Sequence, residues 1–406
     1  MPTGEREPLA FHPALLLSIL IYGYATGVFG SRKLERATHD SVAFRYVAAN
    51  EHPDHDTLNT FRKRFLPQIE GLMVQVLLIA QAMKLVSLGH VALDGTKVKA
   101  NASKHSALSY GHGLKLEQQL RQEVARLLAL AETADNDAAP DGMSLPEEIS
   151  RREDRLQAIE TAKAKIEARA QERFETEQTV YQAKLDRREA KSKETGKPPR
   201  GQPPTPPCSG ARDKDQINLT DEESRIMKVS GGGFEQCYNA QVAVDMDSLL
   251  IVGSNTVQAC NDKQQIEPML KQLSALPPAL GKVNALVADT GFYSEANVNA
   301  CAARDILPLI AVSREAHHPD PLERFAESPP LVAGATAVEA MRHRLKTKAG
   351  RALYAKRKCT VEPVIGIIKS VLGFRQFLLR GLENVHGEWN LVALAWNLKR
   401  MHVLAG

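Results

Sequence analysis

The sequence predicts a mixed α/β protein in which a helical N-terminal region precedes a sheet. Two observations favour this class. Residues 11 to about 88 repeat apolar side chains at helical spacing, without strand-like alternation. Beyond residue 90, short apolar runs such as VALD, QVAVD, LLIV, NALVA and ILPLI have the length and composition of buried strands. Helical stretches separate several of these runs, so we expect a sheet of mixed strand direction.

The N-terminal region predicts three helices, which turn signals at Gly27 to Ser31 and at Asn50 to Asp56 separate. The third helix is expected to begin behind an N-cap at Asp56 or Thr57. Basic side chains concentrate at Arg32, Lys33, Arg36, Arg62, Lys63 and Arg64. Short helices with basic clusters indicate a DNA-binding domain over residues 1–88, with the third helix suited to a major groove. For any single residue, an ordinary solvated helix face is an equal alternative.

A long insertion is predicted after the first strand. VALD is followed by a polar turn, and from Leu114 to about Lys193 the Leu and Ile spacing indicates a charged, antiparallel helical hairpin. A loop around Pro140 to Pro146 interrupts it. The segment KSKETGKPPRGQPPTPPCSG is too rich in Pro, Gly and Lys to pack and predicts an extended linker. The insertion therefore covers about residues 105–215.

The order of elements outside the insertion is strand, strand, strand, helix, strand, helix, strand, helix. Three adjacent strands followed by βα units match a ribonuclease H-like core, which we expect over residues 89–406 with the insertion between its first and second strands. In such a sheet Asp94 lies on the first strand and Asp289 just past the end of the fourth. Because these strands are neighbours, the two carboxylates could meet.

Phosphodiester cleavage needs an activated hydroxyl and charge neutralisation on the attacking and leaving oxygens, which two divalent cations supply. Mg²⁺ prefers oxygen ligands, so few carboxylates suffice when phosphate completes its shell. Asp94, Asp289 and Glu362 are candidate ligands. Taken singly, each has an ordinary explanation: strand-end acids are common, and Glu362 precedes Pro363 at a helix start, where the helix dipole favours glutamate.

Composition limits the alternatives. The five cysteines are scattered without metal-binding spacing, which favours a reducing, cytoplasmic compartment and no structural zinc. The apolar run from Leu15 to Tyr24 is about half a membrane span, so we expect a buried helix and no membrane association. A net charge of +4 is too modest to indicate DNA binding by itself.

Seven ordered segments carry a family resemblance: HPALLLSILIYGYATGVFGSRKLERA, PDHDTLNTFRKRF, ALDGTKVKANASK, ESRIMK with YNAQVAVD, VADTGFYSEAN, YAKRKCTVEPVIGIIKSVLGFRQFLLRG and EWNLVALAWNLKR. Over nearly its whole length the chain resembles bacterial insertion-sequence transposases of the DDE type, closest to the insertion-sequence eleven-eighty-two-like group. The family carries several dozen residues ahead of HPALLL, so a shortened N-terminal domain is one expectation.

The resemblance implies that Asp94, Asp289 and Glu362 form the catalytic triad that binds two Mg²⁺ ions, with Mn²⁺ as a substitute. Tyr354, Arg357 and Lys369 fall on the family's signature and imply contacts to DNA, although the spacing from Arg357 to Glu362 is one residue longer than in its best-known form. A solvated basic helix face is the alternative for these cations.

The implied reaction is hydrolysis at the element's end, followed by attack of the freed 3′-hydroxyl on target DNA. Its implied partners are double-stranded DNA and further copies of the chain, as a homodimer or higher oligomer, in the bacterial cytoplasm. Two other functions stay open: a nuclease with the same core that does not join strands, and an inactive, truncated transposase that only binds DNA.

Overall fold

The computed structural model describes residues 11–133, 144–196, 201–312, 330–331 and 334–406. The chain divides into two compact units: Met1–Asn101 with Glu223–Gly406, and Ala102–Glu222. The predicted insertion falls within the second unit, while the N-terminal helices and the sheet cluster together in the first. The predicted loop at Pro140 lies partly outside the described residues, as do residues 197–200 of the Pro-rich segment.

The first unit contains a six-stranded mixed sheet, which confirms the mixed α/β class. Its strands are β1 (Leu88–Lys99), β4 (Arg225–Lys228), β5 (Phe234–Asp245), β6 (Ile251–Val257), β7 (Gly281–Ala288) and β8 (Leu307–Ile310). They lie in the order β4-β5-β1-β7-β8, and β6 also pairs with β5. β1, β5 and β6 are antiparallel neighbours, whereas β7 and β8 run parallel to β1. The expected neighbourhood of β1 and β7 is therefore present.

β1 differs from its prediction in length. The polar turn expected after VALD is absent from this described strand, because pairing with β5 continues from Val91 to Lys99. Asp94 therefore lies within the strand and not at its end. The partner strand β5 is almost entirely buried, so backbone pairing with it outweighs the weak strand preference of Gly95 and the two lysines.

Both faces of the sheet are covered. One packs against helices α7 (Ile266–Ala275) and α8 (Glu295–Ala302) and the C-terminal part of α4 (His55–Ala82). The other holds a cluster of rings in which Trp389 contacts Phe374 and Phe377. The apolar area removed from water on these two faces is the main stabilising contribution to this unit.

The N-terminal region forms four helices where three were predicted: α1 (Pro13–Thr26), α2 (Ser31–Asp40), α3 (Val42–Val47) and α4. The N-cap of α4 is Asp54, whose carboxylate accepts from the Thr57 backbone N–H at 2.7 Å, two residues earlier than expected. By length and composition α4 could also cross a membrane, a criterion that soluble core helices meet as well. Here its residues Leu66, Met73 and Leu77 are buried in the protein.

The C-terminal region, predicted as one long helical stretch, is broken into α9 (Ala337–Lys346), α10 (Lys348–Ala355), α11 (Val361–Gly366) and α12 (Leu382–Leu404). A π-helical turn, Ile367–Val371, follows α11 directly. The chain then runs back along the end of β1, where the Phe377 N–H donates to the Lys99 carbonyl at 2.8 Å. This return places α11 beside β1.

The second unit consists of α5 (Tyr110–Thr133), α6 (Leu145–Thr195) and the two-stranded sheet of β2 (Ala107–Ser109) and β3 (Gln216–Asn218). The predicted helical hairpin is thus present, with Leu120, Ile159 and Ile166 in its core. The described part of the Pro-rich segment lies along α6, since Arg188 donates to the Gly201 and Gln202 carbonyls.

Candidate active site

Asp94 and Asp289 lie at the same level on two neighbouring strands. Parallel pairing matches Leu93 of β1 with Ala288 of β7, and the aspartates are the next residues of these two strands. Asp289 directly follows β7 and caps a 3₁₀ turn, accepting from the Gly291 N–H at 2.8 Å. Since strand side chains alternate between faces, residues at the same level of adjacent strands project from the same face. Two carboxylates far apart in sequence thus lie side by side and on the same face of the sheet.

The charge of this pair is only partly compensated. Burial, together with the negative charge of Asp289, raises the pKa of Asp94 to about 6. The Gly95 N–H, at 2.8 Å from Asp94 Oδ1, and the nearby Arg357 act in the opposite direction. Burial outweighs these two favourable contacts. An additional cation next to Asp94 would therefore stabilise the ionised form of this side chain.

Glu362 is linked to Asp94 through Arg357. It is the second residue of α11, and its side chain is 46% exposed. Arg357 lies 3.4 Å from Asp94 Oδ2 through Nη1 and 2.8 Å from Glu362 Oε1 through Nη2. Its guanidinium is only 12% exposed. One arginine thus holds the first and the third acid of the predicted triad together.

Lys369 lies on the π-helical turn after α11. Its Nζ donates to Thr96 Oγ1 and to the Lys97 carbonyl, both at 2.9 Å, so the turn is fastened to β1 just beyond Asp94. Burial lowers the pKa of Lys369. A π turn inside a helix often marks a functional site. Tyr354 lies half-buried in α10, one turn before Arg357.

A cavity of about 360 Å³ opens beside Asp94 on β1. Carboxylates, hydroxyls and one lysine line it, namely Asp94, Thr96, Ser230, Glu362, Lys369 and Ser370. The cavity therefore offers both acceptors for cations and donors for an anionic ligand. Its polar lining suits a phosphate better than an apolar small molecule.

A fourth carboxylate, Asp262, stands beside the aspartates and was missed in the sequence. It lies between β6 and α7, and its charge contributes to the raised pKa of Asp94. A polar loop residue between a strand and a helix carries no local pattern that distinguishes it from solvent-exposed neighbours. This loop comes close to β1 only because β6 pairs with β5, which in turn pairs with β1.

The basic residues of the N-terminal helices divide into two groups. The exposed side chains are Arg32, Lys33 and Arg36 on α2 and Lys63 and Arg64 on α4. Arg62, in contrast, is 4% exposed, and its guanidinium donates to Tyr24, to the Phe29 carbonyl and to Asn59. The burial of Arg62 argues against the predicted contact with DNA, because the side chain is enclosed and both of its Nη groups donate inside the protein.

The matching of family models covers both ends of the chain. Residues 333–402 match a model described as a transposase DDE domain, and residues 2–64 match one described as a transposase domain. Both matches support a bacterial insertion-sequence transposase. The transposase DDE match contains Glu362 and Lys369, and the other match contains the basic residues of α2. No curated protein and no solved structure matches the chain.

The donor set of this site suits a hard divalent cation. All three acids offer carboxylate oxygens, the ligands that Mg²⁺ and Mn²⁺ prefer. The raised pKa of Asp94 and the guanidinium between Asp94 and Glu362 both indicate a demand for positive charge at this point. In this conformation no group of three or more His, Cys, Asp or Glu side chains within the described ranges is arranged to hold a metal ion. Arg357 occupies the space between the first and third acids.

Proposed function

We propose that the chain is a DNA transposase of the insertion-sequence eleven-eighty-two-like group, which cuts double-stranded DNA at the ends of its element and joins the 3′-hydroxyl to target DNA. One observation carries the proposal. Asp94 and Glu362, from distant parts of the sequence, line one polar cavity and are bridged by Arg357, and Asp289 lies beside Asp94 at the end of the neighbouring strand β7. The matches to transposase models at both ends of the chain support it.

The strand order supports a ribonuclease H-like core for this transposase. Three antiparallel strands, β6, β5 and β1, are followed by the parallel strands β7 and β8. This is the order that the element pattern of the sequence favours. The core carries the first two acids on its central strands, and α11 brings the third.

In this proposal the acidic residues bind the cations and the basic residues contact the phosphates. Asp94, Asp289 and Glu362 would hold two Mg²⁺ ions, or Mn²⁺ in their place. Such ions, when bound, activate the attacking hydroxyl and neutralise charge on the attacking and leaving oxygens. Arg357 offers a forked pair of N–H donors and Lys369 a compact charge, both suited to the phosphates that flank the cleaved bond. Tyr354 is placed with them through the resemblance.

DNA is expected to contact the exposed basic residues of α2 and α4 as well. Arg32, Lys33, Arg36, Lys63 and Arg64 would fix the chain on phosphates, which positions DNA without reading its sequence. Two element ends must be cut and joined together, so we propose that a homodimer or higher oligomer acts in the bacterial cytoplasm.

The decisive experiment incubates the purified chain with Mg²⁺, DNA that carries the element ends, and a labelled target. We expect nicks at the ends and joined products from the unaltered chain. Asp94→Asn, Asp289→Asn and Glu362→Gln should each abolish both. Asp305→Asn, an exposed acid paired with Lys282, serves as the control and should retain both. Wild-type activity in Asp94→Asn would overturn the metal assignment.

The same assay separates the other two functions. Cutting without joined products, with all three acids required, would indicate a nuclease that does not transfer strands. Binding of the element ends in a gel-shift assay without cutting would indicate an inactive DNA-binding protein. Either result would overturn the transposase proposal.

A further inference from the structure

Asp262 lies close to the two aspartates, but on the side of β1 opposite to the Asp94 side chain. A methyl group built on Gly95 would lie 2.6 Å from Asp262 Oδ1, so this carboxylate stands over the side of the strand that Gly95 faces. Asp94, the preceding residue, projects from the other side. A methyl group on Gly291 would lie 3.0 Å from Asp289 Oδ1 and 3.7 Å from Asp262 Oδ2. Asp262 therefore directs one oxygen at β1 and the other towards Asp289.

The oxygen that faces β1 is firmly held. Asp262 Oδ1 accepts from Gln241 Nε2 at 2.6 Å and from Asn239 Nδ2 at 2.7 Å. Both amides lie on β5 and are 0% exposed. The Asn239 amide also donates to the Ala259 carbonyl, which ties down the loop that carries Asp262. A carboxylate gripped in this way has a fixed orientation, and its Oδ2 is left to the Asp289 side.

Three buried polar atoms around Asp262 have no hydrogen-bond partner among the described residues. They are Lys97 Nζ, Asn239 Oδ1 and Gln241 Oε1. Lys97 Nζ is 3.8 Å from Asp262 Oδ1, an ion-pair separation that is too long for a hydrogen bond. Buried polar atoms without partners are uncommon in proteins, and bound water or an ion is one explanation for them. The cluster around Asp262 therefore has donors and acceptors left for bound water.

We propose that Asp262 is a positioning residue of the cleavage site, whose Oδ2 would accept hydrogen bonds from water around a cation that Asp94 and Asp289 would hold. This inference rests on the proposed function. Asp262 acts from outside the set of direct ligands, because its Oδ1 is engaged by two amides and it approaches from the opposite side of β1. Such outer partners fix the orientation of the groups around a metal.

Metal affinity measured without DNA tests this role apart from catalysis. In the full chain, Mn²⁺ titrations followed by electron paramagnetic resonance should show binding about ten- to a hundredfold weaker in Asp262→Asn. The substituted side chain keeps its shape, and its Oδ1 can still accept from Asn239 and Gln241. Asp305→Asn removes the same charge at an exposed position and should bind Mn²⁺ as the unaltered chain does.

Thermal unfolding in EDTA distinguishes positioning from a structural role. We expect Asp262→Asn to melt within a few degrees of the unaltered chain, while its Mn²⁺ affinity falls. Earlier melting with unchanged Mn²⁺ affinity would make Asp262 structural and overturn the inference. Unchanged affinity in Asp262→Asn with lost affinity in Asp94→Asn would overturn this inference but leave the proposed function standing. Unchanged affinity in both variants would count against the metal site itself.

Discussion

Two arginines of this chain are linked to acidic side chains, Arg357 directly and Arg62 through a tyrosine, and their surroundings differ. Arg357 bridges Asp94 and Glu362 beside an open cavity, and Glu362 keeps almost half of its side chain in solvent. Arg62 donates at 3.1 Å to the Tyr24 hydroxyl, which donates at 2.7 Å to Glu388, and Glu388 is 0% exposed. The first arrangement can open and accept a ligand. The second has no access to solvent and can only stabilise the fold.

The buried group connects three parts of the first unit. Tyr24 belongs to α1, Arg62 to α4 and Glu388 to α12. Glu388 also accepts from the Leu378 and Leu379 N–H groups at 3.0 and 3.1 Å. Burial raises the pKa of Glu388, and the charge of Arg62 opposes this rise. The group thereby fixes the N-terminal helices against the part of the chain that follows the π turn.

The largest expected effect is the loss of Arg62. Arg62→Met should lower the free energy of unfolding by about 3–5 kcal/mol, because it leaves the Glu388 charge buried without compensation. Denaturant unfolding measures the change. Arg36→Met, at an exposed position on α2, is the matched control and should stay within about 0.5 kcal/mol.

A second substitution tests the cause of that loss. Glu388→Gln should recover part of the stability in the Arg62→Met background, because it removes the uncompensated charge. Equal destabilisation by Arg62→Met and Arg36→Met would contradict the structural role assigned to the buried arginine.

The second effect concerns the arginine at the cavity. Arg357→Gln should destabilise the chain less than Arg62→Met does, because Glu362 can be solvated and Asp94, whose pKa is about 6, can take up a proton when its partner is removed. Cleavage of element ends should fall about a hundredfold, in line with the loss of one charge-stabilising donor. Parallel unfolding and cleavage assays check both. The cleavage activity of Arg357→Lys should lie between those of the unaltered chain and Arg357→Gln, because lysine keeps the charge but lacks the forked pair of N–H donors. A stability loss as large as that of Arg62→Met would make the two arginines equivalent.

The contrast between these arginines also shows where prediction from sequence succeeds. Apolar runs and their order predicted that the strands of Asp94 and Asp289 are neighbours, because strand burial leaves a local pattern. In the sequence Arg62 groups with Lys63 and Arg64, since all three share one basic run. The burial of Arg62 depends on Glu388, far along the chain. Asp262 was missed for the same reason, because Asn239 and Gln241 define its role.

The smallest expected effect is a gain in stability at the cavity. Because burial and Asp289 raise the pKa of Asp94 from its usual 3.8 to about 6, the folded chain binds this proton more tightly than the unfolded chain. Ionised Asp94 therefore costs stability above pH 6, and this cost shrinks as the pH falls through 6 towards 4. In metal-free buffer, Asp94→Asn should be more stable than the unaltered chain by about 2 kcal/mol at pH 7.5. The gain should shrink below pH 6 and vanish only below about pH 3, where Asp94 is protonated in both the folded and the unfolded chain. Urea unfolding at several pH values measures this gain in stability.

Asp305→Asn should show no such gain, because Asp305 is exposed. A constant difference across the pH range would mean that the charge of Asp94 is compensated in the fold.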